Sequence, residues 1–417
     1  MGLVRGMYRS FDFRSIGASH IKKGTVCQDF SGSVETDTYK LAVISDGHGG
    51  EDYFRSDRGS RFAVEAFCKC VEDAFAVSSL SDEEQSDGSF LQNKAKNFAD
   101  ALNACKTDKQ IEEQMRWFMR SIVTRWNILV EDDLSADPFK EEEMAEVSEK
   151  AKARYEKGEK VQSAYGATLI GVVVTDDFWF GVHIGDGKCI AFDMAGIDTE
   201  PIPWDEQCFL NVTTSICDAN ASSEMRYFFS RELPAAVFVG SDGIDDSFKN
   251  ERHLHNFYRV VLSSFATETE EKATQGLADY LPNLSAQGSA DDMSVGCIIN
   301  IEHIKNNAVL YEKKKEPYLK IVRTGNLGAK TLSDDYSQKK EIEAVEGIVH
   351  LDMLGCYGFG KGVMQLEVKS VEDSSVTFAA DGAEYTVTPD TLAEITKQEA
   401  GNGIAEYDRL IIQCFLK

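Results

Sequence analysis

The residues best suited to chemistry are aspartates where apolar runs end. Ile44-Ser45-Asp46-Gly47-His48-Gly49-Gly50, Ile184-Gly185-Asp186-Gly187 and Gly240-Ser241-Asp242-Gly243 each carry a hydrophobic stretch into Asp-Gly, and Ser289-Ala290-Asp291-Asp292-Met293-Ser294 leads into another. A strand-tip aspartate projects its carboxylate from a rigid element, and the glycine after it lets the backbone turn sharply or approach a ligand. A single Asp-Gly is also a common hairpin turn. The set as a whole says more, because like charges gathered in one place repel unless a cation lies among them. Carboxylate and carbonyl oxygens select a hard divalent ion, Mg²⁺ or Mn²⁺.

Strands that stop at one edge would gather these groups. Apolar runs predict strands over Tyr39 to Ser45, Gly166 to Thr175, Phe178 to Ile184, Lys188 to Phe192, Ala235 to Ser241 and Ser294 to Asn300. Three-four spacing of apolar residues predicts core-facing helices over Ser60 to Phe75 and Ile111 to Val130, with two more over His253 to Phe265 and Glu268 to Leu281. Ser78 to Ser89 reads as an exposed acidic loop, and Asp137 to Lys160, almost all charge, as a solvated helix or mobile excursion. The acidic runs Ser81–Asp87 and Glu131–Glu149 read as solvated surface with no chemistry. After Ile304 strands return at Tyr318 to Arg323, Gly347 to Leu354, Val363 to Val371, a hairpin around Asp381-Gly382, and Arg409 to Leu416. The expectation is a catalytic domain over 1–302, with an acidic helical excursion at about 78–160, and a small β-rich domain over 303–417.

The chain has 417 residues and a formal net charge of −26, which argues against nucleic acid or a membrane surface as partner. A hydrophobic fraction of 42% argues against disorder throughout. The opening MGLVRGMYRS lacks the apolar core of a signal peptide, and no window nears the roughly 18 apolar residues of a membrane span, so a cytoplasmic monomer is expected. The ten cysteines include no CxxC and no Cys-x5-Arg phosphate cradle, so they read as reduced structural thiols.

In these blocks the sequence resembles the metal-dependent Ser/Thr protein phosphatases, the type 2C or PPM family. The residues that carry the likeness are DGHGG at Asp46–Gly50, GAT at Gly166–Thr168, IGDGK at Ile184–Lys188, SDGIDD at Ser241–Asp246 and DDMS at Asp291–Ser294. The amino-terminal block from Gly17 to Asp29, with Ser19-His20 and Cys27-Gln28-Asp29, is similar to a bacterial-type GxSH…CQD subgroup. The resemblance implies an α+β fold, a four-layer αββα sandwich of two antiparallel sheets flanked by helices, followed here by the all-β appendage. It implies two Mn²⁺ or Mg²⁺ ions, with a third site that binds more weakly. Asp46 would bridge the two ions, the Gly47 carbonyl would bind one, and Asp242 and Asp291 would complete the other. Asp29 would bind directly or through water, and Asp186 with Asp242 would hold the third. His48 would be the general acid for the leaving hydroxyl. The substrate would be a phosphorylated protein, its phosphoserine or phosphothreonine hydrolysed by a metal-activated water.

Departures from the family pattern bear on strength of binding. His20 stands where many members have a phosphate-clamping arginine, a permanent bidentate fork, so Lys22 or Lys23 becomes a candidate substitute. Gln28 offers only a neutral oxygen where an acid is usual, and Asp292 replaces an asparagine. Trp204 to Phe229 falls at the family's variable flap, with Asn211 to Thr214 and Asp218 as its polar cluster. The glycine-rich Gly355–Gly362 has no helix after it and reads as a β-turn rather than a phosphate loop. Two alternatives stand beside a protein phosphatase: a pseudophosphatase acting as a regulatory scaffold, and a metallohydrolase of small phosphoesters.

Overall fold

The computed structural model describes residues 7–76, 97–208, 213–326, 338–352, 363–401 and 404–417. The chain divides into two compact units, Met1–Glu312 and Lys313–Lys417. The loop expected at Ser78 to Ser89 and the turn at Gly355–Gly362 lie outside the described residues.

The first unit contains β1 (Tyr8–Ser15), β2 (Phe30–Glu35), β3 (Lys40–Ser45), β4 (Leu169–Val174), β5 (Trp179–Ile184), β6 (Lys188–Phe192), β7 (Asp198–Thr199), β8 (Arg226–Ser230), β9 (Ala236–Gly240) and β10 (Met293–Asn300). They form two five-stranded antiparallel sheets, ordered β1-β10-β9-β6-β7 and β2-β3-β4-β5-β8. Side-chain alternation fixes the layers. In β3, Leu41 and Val43 join a core with the helices Ser56–Phe75 and Asp108–Ala136, while Ala42 and Ile44 join the core between the sheets. In β9, Ala236 and Phe238 face the helices Glu251–Thr267 and Glu270–Gln287, while Val237 and Val239 face the other sheet. Strands covered on both faces read as unbroken apolar runs, which is why these were legible. The layers are those of an αββα sandwich.

Four strands of this unit were not expected: the two-residue β7, and β1, β2 and β8. β1 is interrupted by Arg9, Asp12 and Arg14, β2 by polar residues, and β8 lies in the presumed flap. Their polar residues have partners: the Asp12 carboxylate accepts from the Ser31 and Ser33 hydroxyls of β2 at 2.8 and 2.6 Å. The last long helix runs through Pro282 to Gln287 instead of stopping at Leu281, because Leu281, Leu284 and Ser285 are all buried. That packing outweighs the hydrogen bond the proline removes.

The segment 137–160 differs most from expectation. Most of its charged residues are exposed, but it is not a free excursion: it holds the helix Glu149–Tyr155, and Met144, Val147, Ala151 and Tyr155 are buried in the core between the sheet β2-β3-β4-β5-β8 and its helices. The helix Ile301–Asn306 spans the expected division at 302/303, and its Ile301 and Ile304 pack with Tyr311 in the first unit's core.

The second unit is all strand: β11 (Pro317–Asn326), β12 (Gln338–Glu343), β13 (Gly347–Asp352), β14 (Val363–Val371), β15 (Val376–Ala380), β16 (Ala383–Val387), β17 (Leu392–Gly401) and β18 (Ile404–Leu416). Two four-stranded sheets, β12-β11-β18-β17 and β13-β14-β15-β16, share a core that includes Leu319, Leu366, Phe378, Leu410 and Ile412. The hairpin at Asp381-Gly382 joins β15 to β16, with both residues at positive φ.

Candidate metal centre

Antiparallel pairing brings the aspartates together. Phe30 of β2 pairs with Ser45 of β3, so Asp29, just before β2, lies beside Asp46, just after β3. Val295 of β10 pairs with Gly240 of β9, so Asp291, before β10, lies beside Asp242, after β9. The two sheets pack through the core that holds Ile44 and Val239, and their strand ends deliver acids to one edge.

Local bonds fix the backbone there. The Asp46 N–H donates to the Thr168 hydroxyl at 3.0 Å, the Thr168 N–H donates to the Asp46 carbonyl at 2.8 Å, and the Ser45 hydroxyl donates to the Thr168 carbonyl at 2.5 Å. Gly47 passes so close to the helix Ser56–Phe75 that a Cβ would stand 2.6 Å from the Ser56 carbonyl oxygen. The Gly-Ala-Thr block is thus the clamp of Asp46. On the other sheet the Ser241 N–H donates to the Ser294 carbonyl and the Ser294 N–H to the Ser241 hydroxyl, each at 3.0 Å. A Cβ on Gly243 would stand 2.0 Å from the Asp292 carbonyl oxygen, so only glycine fits after Asp242.

Asp29 is 1% exposed; its Oδ2 accepts from the Ser294 hydroxyl at 2.7 Å, and its Oδ1 is buried without a partner. Asp242 Oδ1 is likewise buried and unpartnered. The Asp46 and Asp242 carboxyls are in hydrogen-bond contact. Burial raises the pKa of all three, and the neighbouring acids push each further: Asp242 and Asp292 act on Asp29, Asp29, Asp242 and Asp291 on Asp46, and Asp186 and Asp291 on Asp242. These carboxyls can be charged together only with a cation among them. Asp291 is exposed, and among the described residues these acids form no set of three with ligand atoms all within 4.8 Å of one another. An all-oxygen donor set with buried unpartnered oxygens fits Mg²⁺ or Mn²⁺.

Asp186 follows β5 at a turn, and burial again raises its pKa first, partly offset by the Thr213 hydroxyl. Arg226 holds the turn from behind: its Nη2 donates to the Gly185 carbonyl at 2.6 Å and its Nη1 to the Pro203 carbonyl at 2.7 Å. The Thr214 hydroxyl accepts from the Gly185 N–H at 3.1 Å and donates to Asp205 at 2.8 Å, while Asp218 accepts from the Ser215 N–H at 2.9 Å. The polar residues Thr214 and Asp218 therefore build the loop around Asp186. Asn211 and Val212 lie outside the described residues.

His48 sits two residues past Asp46, its N–H donating to the Gly166 carbonyl at 3.0 Å and its ring edge-on to Tyr53 at 5.1 Å. Burial lowers its pKa to about 4.

Asp292 organises the amino-terminal block, a role the sequence did not disclose. It is 3% exposed; Oδ1 accepts the Gly17 N–H at 2.6 Å, and Oδ2 accepts the Gln28 N–H at 2.6 Å and lies 2.9 Å from His20 Nδ1. His20 is thus paired to Asp292. Lys22 and Lys23 are exposed in the last turn of the helix Ala18–Lys23. Gln28 Nε2 donates to the Ser56 hydroxyl at 2.6 Å, so this side chain braces the loop. The signal for Asp292 lay in its place between Asp291 and the strand, where its own backbone is fixed.

The chain matches the protein phosphatase 2C family over residues 16–282 and belongs to it. No curated protein matches the sequence. Among solved structures, a Streptococcus agalactiae (S. agalactiae) serine/threonine phosphatase is 15% identical, with 70% of this chain and 99% of that one covered and a TM-score of 0.40. The serine/threonine phosphatase Stp1 from Staphylococcus aureus is 13% identical, covering 71% and 95% with a TM-score of 0.41, and a C. elegans sex determining protein is 14% identical, covering 73% and 67% with a TM-score of 0.41. Membership rests on the family match, not on these superpositions. Among the described residues no helix is long and apolar enough to cross a membrane, and the cysteines among them are free.

Proposed function

We propose that the chain hydrolyses phosphoserine and phosphothreonine in proteins at a centre for two Mn²⁺ or Mg²⁺ ions, held by Asp46, the Gly47 carbonyl, Asp242 and Asp291, with Asp29 beside them. The observation that carries this reading is the trio Asp29, Asp46 and Asp242, the first buried and the others half-buried, which includes two buried unpartnered carboxylate oxygens and has no basic partner among the described residues. Asp186 and Asp242 are suited to a weaker third ion. Bound there, divalent ions supply Lewis-acid polarisation of the phosphoryl group and lower the pKa of water, so no side-chain nucleophile is required.

The protein's own part is to position and to move protons. Thr168 fixes the Asp46 backbone, and Ser294 fixes one oxygen of Asp29, leaving the other free for a ligand. His48, neutral in its buried setting, would gain its proton in the substrate complex, beside a phosphate dianion, and pass it to the leaving hydroxyl. Lys22 and Lys23, exposed on the amino-terminal side, supply positive charge for the phosphate, and His20, held by Asp292, lies in the same helix.

The test is phosphate release from a phosphothreonine peptide with Mn²⁺ and with chelator, alongside p-nitrophenyl phosphate. Turnover that requires the metal and includes the peptide is expected. Peptide turnover that persists in chelator would overturn the metal reading, and turnover confined to the small ester would overturn the protein substrate.

A further inference from the structure

The wall next to His48 is built by the acidic segment, through one residue. The Asp52 carboxylate accepts the Ser148 N–H at 2.8 Å on Oδ1 and the Ser148 hydroxyl at 2.9 Å on Oδ2, and the Asp52 carbonyl accepts the Tyr155 hydroxyl at 2.9 Å. The helix Glu149–Tyr155 is therefore fastened at both ends to the residue before Tyr53. Tyr53 in turn meets the His48 ring. Arg154 lies at the Tyr155 end of this helix, close enough that its charge opposes the rise in pKa that burial imposes on the Tyr53 and Tyr155 hydroxyls.

Arg154 is the basic side chain nearest this wall, and the described residues leave it without a partner. Its Nε is buried with no hydrogen-bond partner, and its side chain has no ion pair among the described residues, in a chain with 70 acidic residues. Arg55 and Arg58, on the neighbouring helix, share Asp133 and Asp137. Asp218, whose charge also reaches Tyr53, already accepts the Ser215 N–H. A buried donor without an acceptor is costly and is satisfied by whatever acceptor arrives. On the opposite side His20 is engaged by Asp292. His48 meets Tyr53, and the neighbouring Asp52 fastens the helix that carries Arg154, so Arg154 stands on the His48 side of the aspartates, where the peptide around a phosphorylated residue rather than the phosphoryl group would lie.

We propose that Arg154 is a specificity-determining residue that binds an acidic side chain of the phosphopeptide, flanking the phosphorylated residue on the His48 side. This rests on the phosphatase reading above. A guanidinium gives a carboxylate two parallel donors in a fixed plane, so acidic sequences are selected over basic ones.

The full chain with Mn²⁺ is assayed on two phosphothreonine peptides, one with glutamates and one with lysines around the phosphothreonine, with p-nitrophenyl phosphate as a third substrate. Wild type should favour the acidic peptide in kcat/KM by about 5- to 10-fold, the size of one partly buried charge pair. Arg154→Ala should bring that ratio to about one, mainly through KM, Arg154→Glu should invert it, and Arg154→Lys should keep part of it. A wild-type ratio of one, or an Arg154→Ala enzyme slowed equally on both peptides with its ratio intact, overturns the proposal and leaves the phosphatase reading standing. No metal-dependent turnover of any of the three substrates overturns both.

Discussion

Two clusters of charge in the first unit follow opposite rules. Arg55 is 1% exposed and fully supplied by the chain: Nε and Nη2 donate to Glu143 at 2.9 and 2.8 Å, and Nη1 donates to the Tyr165 hydroxyl and the Asp137 carbonyl, each at 2.7 Å. Its hydrogen bonds hold the Glu143 carboxyl below its ordinary pKa. Asp29, Asp46 and Asp242 have no such cation among the described residues, and their pKa values move up. One cluster is complete within the fold, whereas the other reaches its charged form only with something from outside. Acid count alone does not separate them; the partner does.

The largest effect that would break this comparison is at Asp242. Asp242→Asn should lower metal-dependent turnover by about 10³-fold, the loss of several kcal/mol of charge stabilisation. The same change should raise the unfolding temperature measured in chelator, because it removes a buried like charge, and should abolish the stabilisation that Mn²⁺ gives to wild type. A fall in the chelator midpoint would mean that these acids are structural, like Glu143. Arg55→Met is the counterpart: it leaves Glu143 without its cation and should cost about 3–5 kcal/mol in urea unfolding. Added Mn²⁺ should not reverse that loss.

The sandwich was legible where strands are covered on both faces, as in Lys188–Phe192, whose bounds the structure repeats. It was illegible at β1 and β8, where edge position and polar pairing replace the apolar run. The Asp-Gly tips were readable because each joins an apolar strand to a carboxylate. Arg55 and its acids were not: Glu131–Glu149 looked like solvated charge because a salt-bridged acid and a solvated one have the same letter. Only tertiary contact with Arg55, far away in sequence, tells them apart. Asp292 was hidden for the same reason, since its partners Gly17, His20 and Gln28 come from the other end of the domain.

Asp292→Asn sharpens the contrast at smaller scale. The two Asp292 oxygens take Gly17, Gln28 and His20 between them, and an amide has one acceptor oxygen for the three. At least one buried donor is left unpaired, at about 1–3 kcal/mol. The unfolding midpoint should fall with and without Mn²⁺, in contrast to Asp242→Asn. A midpoint unchanged in both conditions would show that this carboxylate does not anchor the amino-terminal block.

His255 is an intermediate case, with a cation the chain supplies only at some pH values. Its Nδ1 lies 2.7 Å from Asp198 and its Nε2 3.5 Å from Glu200, while Arg259 also pairs with Asp198 and Lys188 with Glu200. Burial favours the neutral ring, but the two carboxylates outweigh it and the pKa rises to about 8. A folded-state pKa above the unfolded value of about 6.5 means that the stabilisation is complete below about pH 6.5 and is lost as pH rises through 8. The rise corresponds to at most about 2 kcal/mol, less where solvent screens the pair. Between pH 6 and 9 the urea unfolding free energy of wild type should therefore fall about 1–2 kcal/mol further than that of His255→Gln. Parallel curves would place a neutral histidine here. Asp198 and Glu200 would then depend on Arg259 and Lys188 alone, and the cluster would follow the rule of Arg55 at every pH.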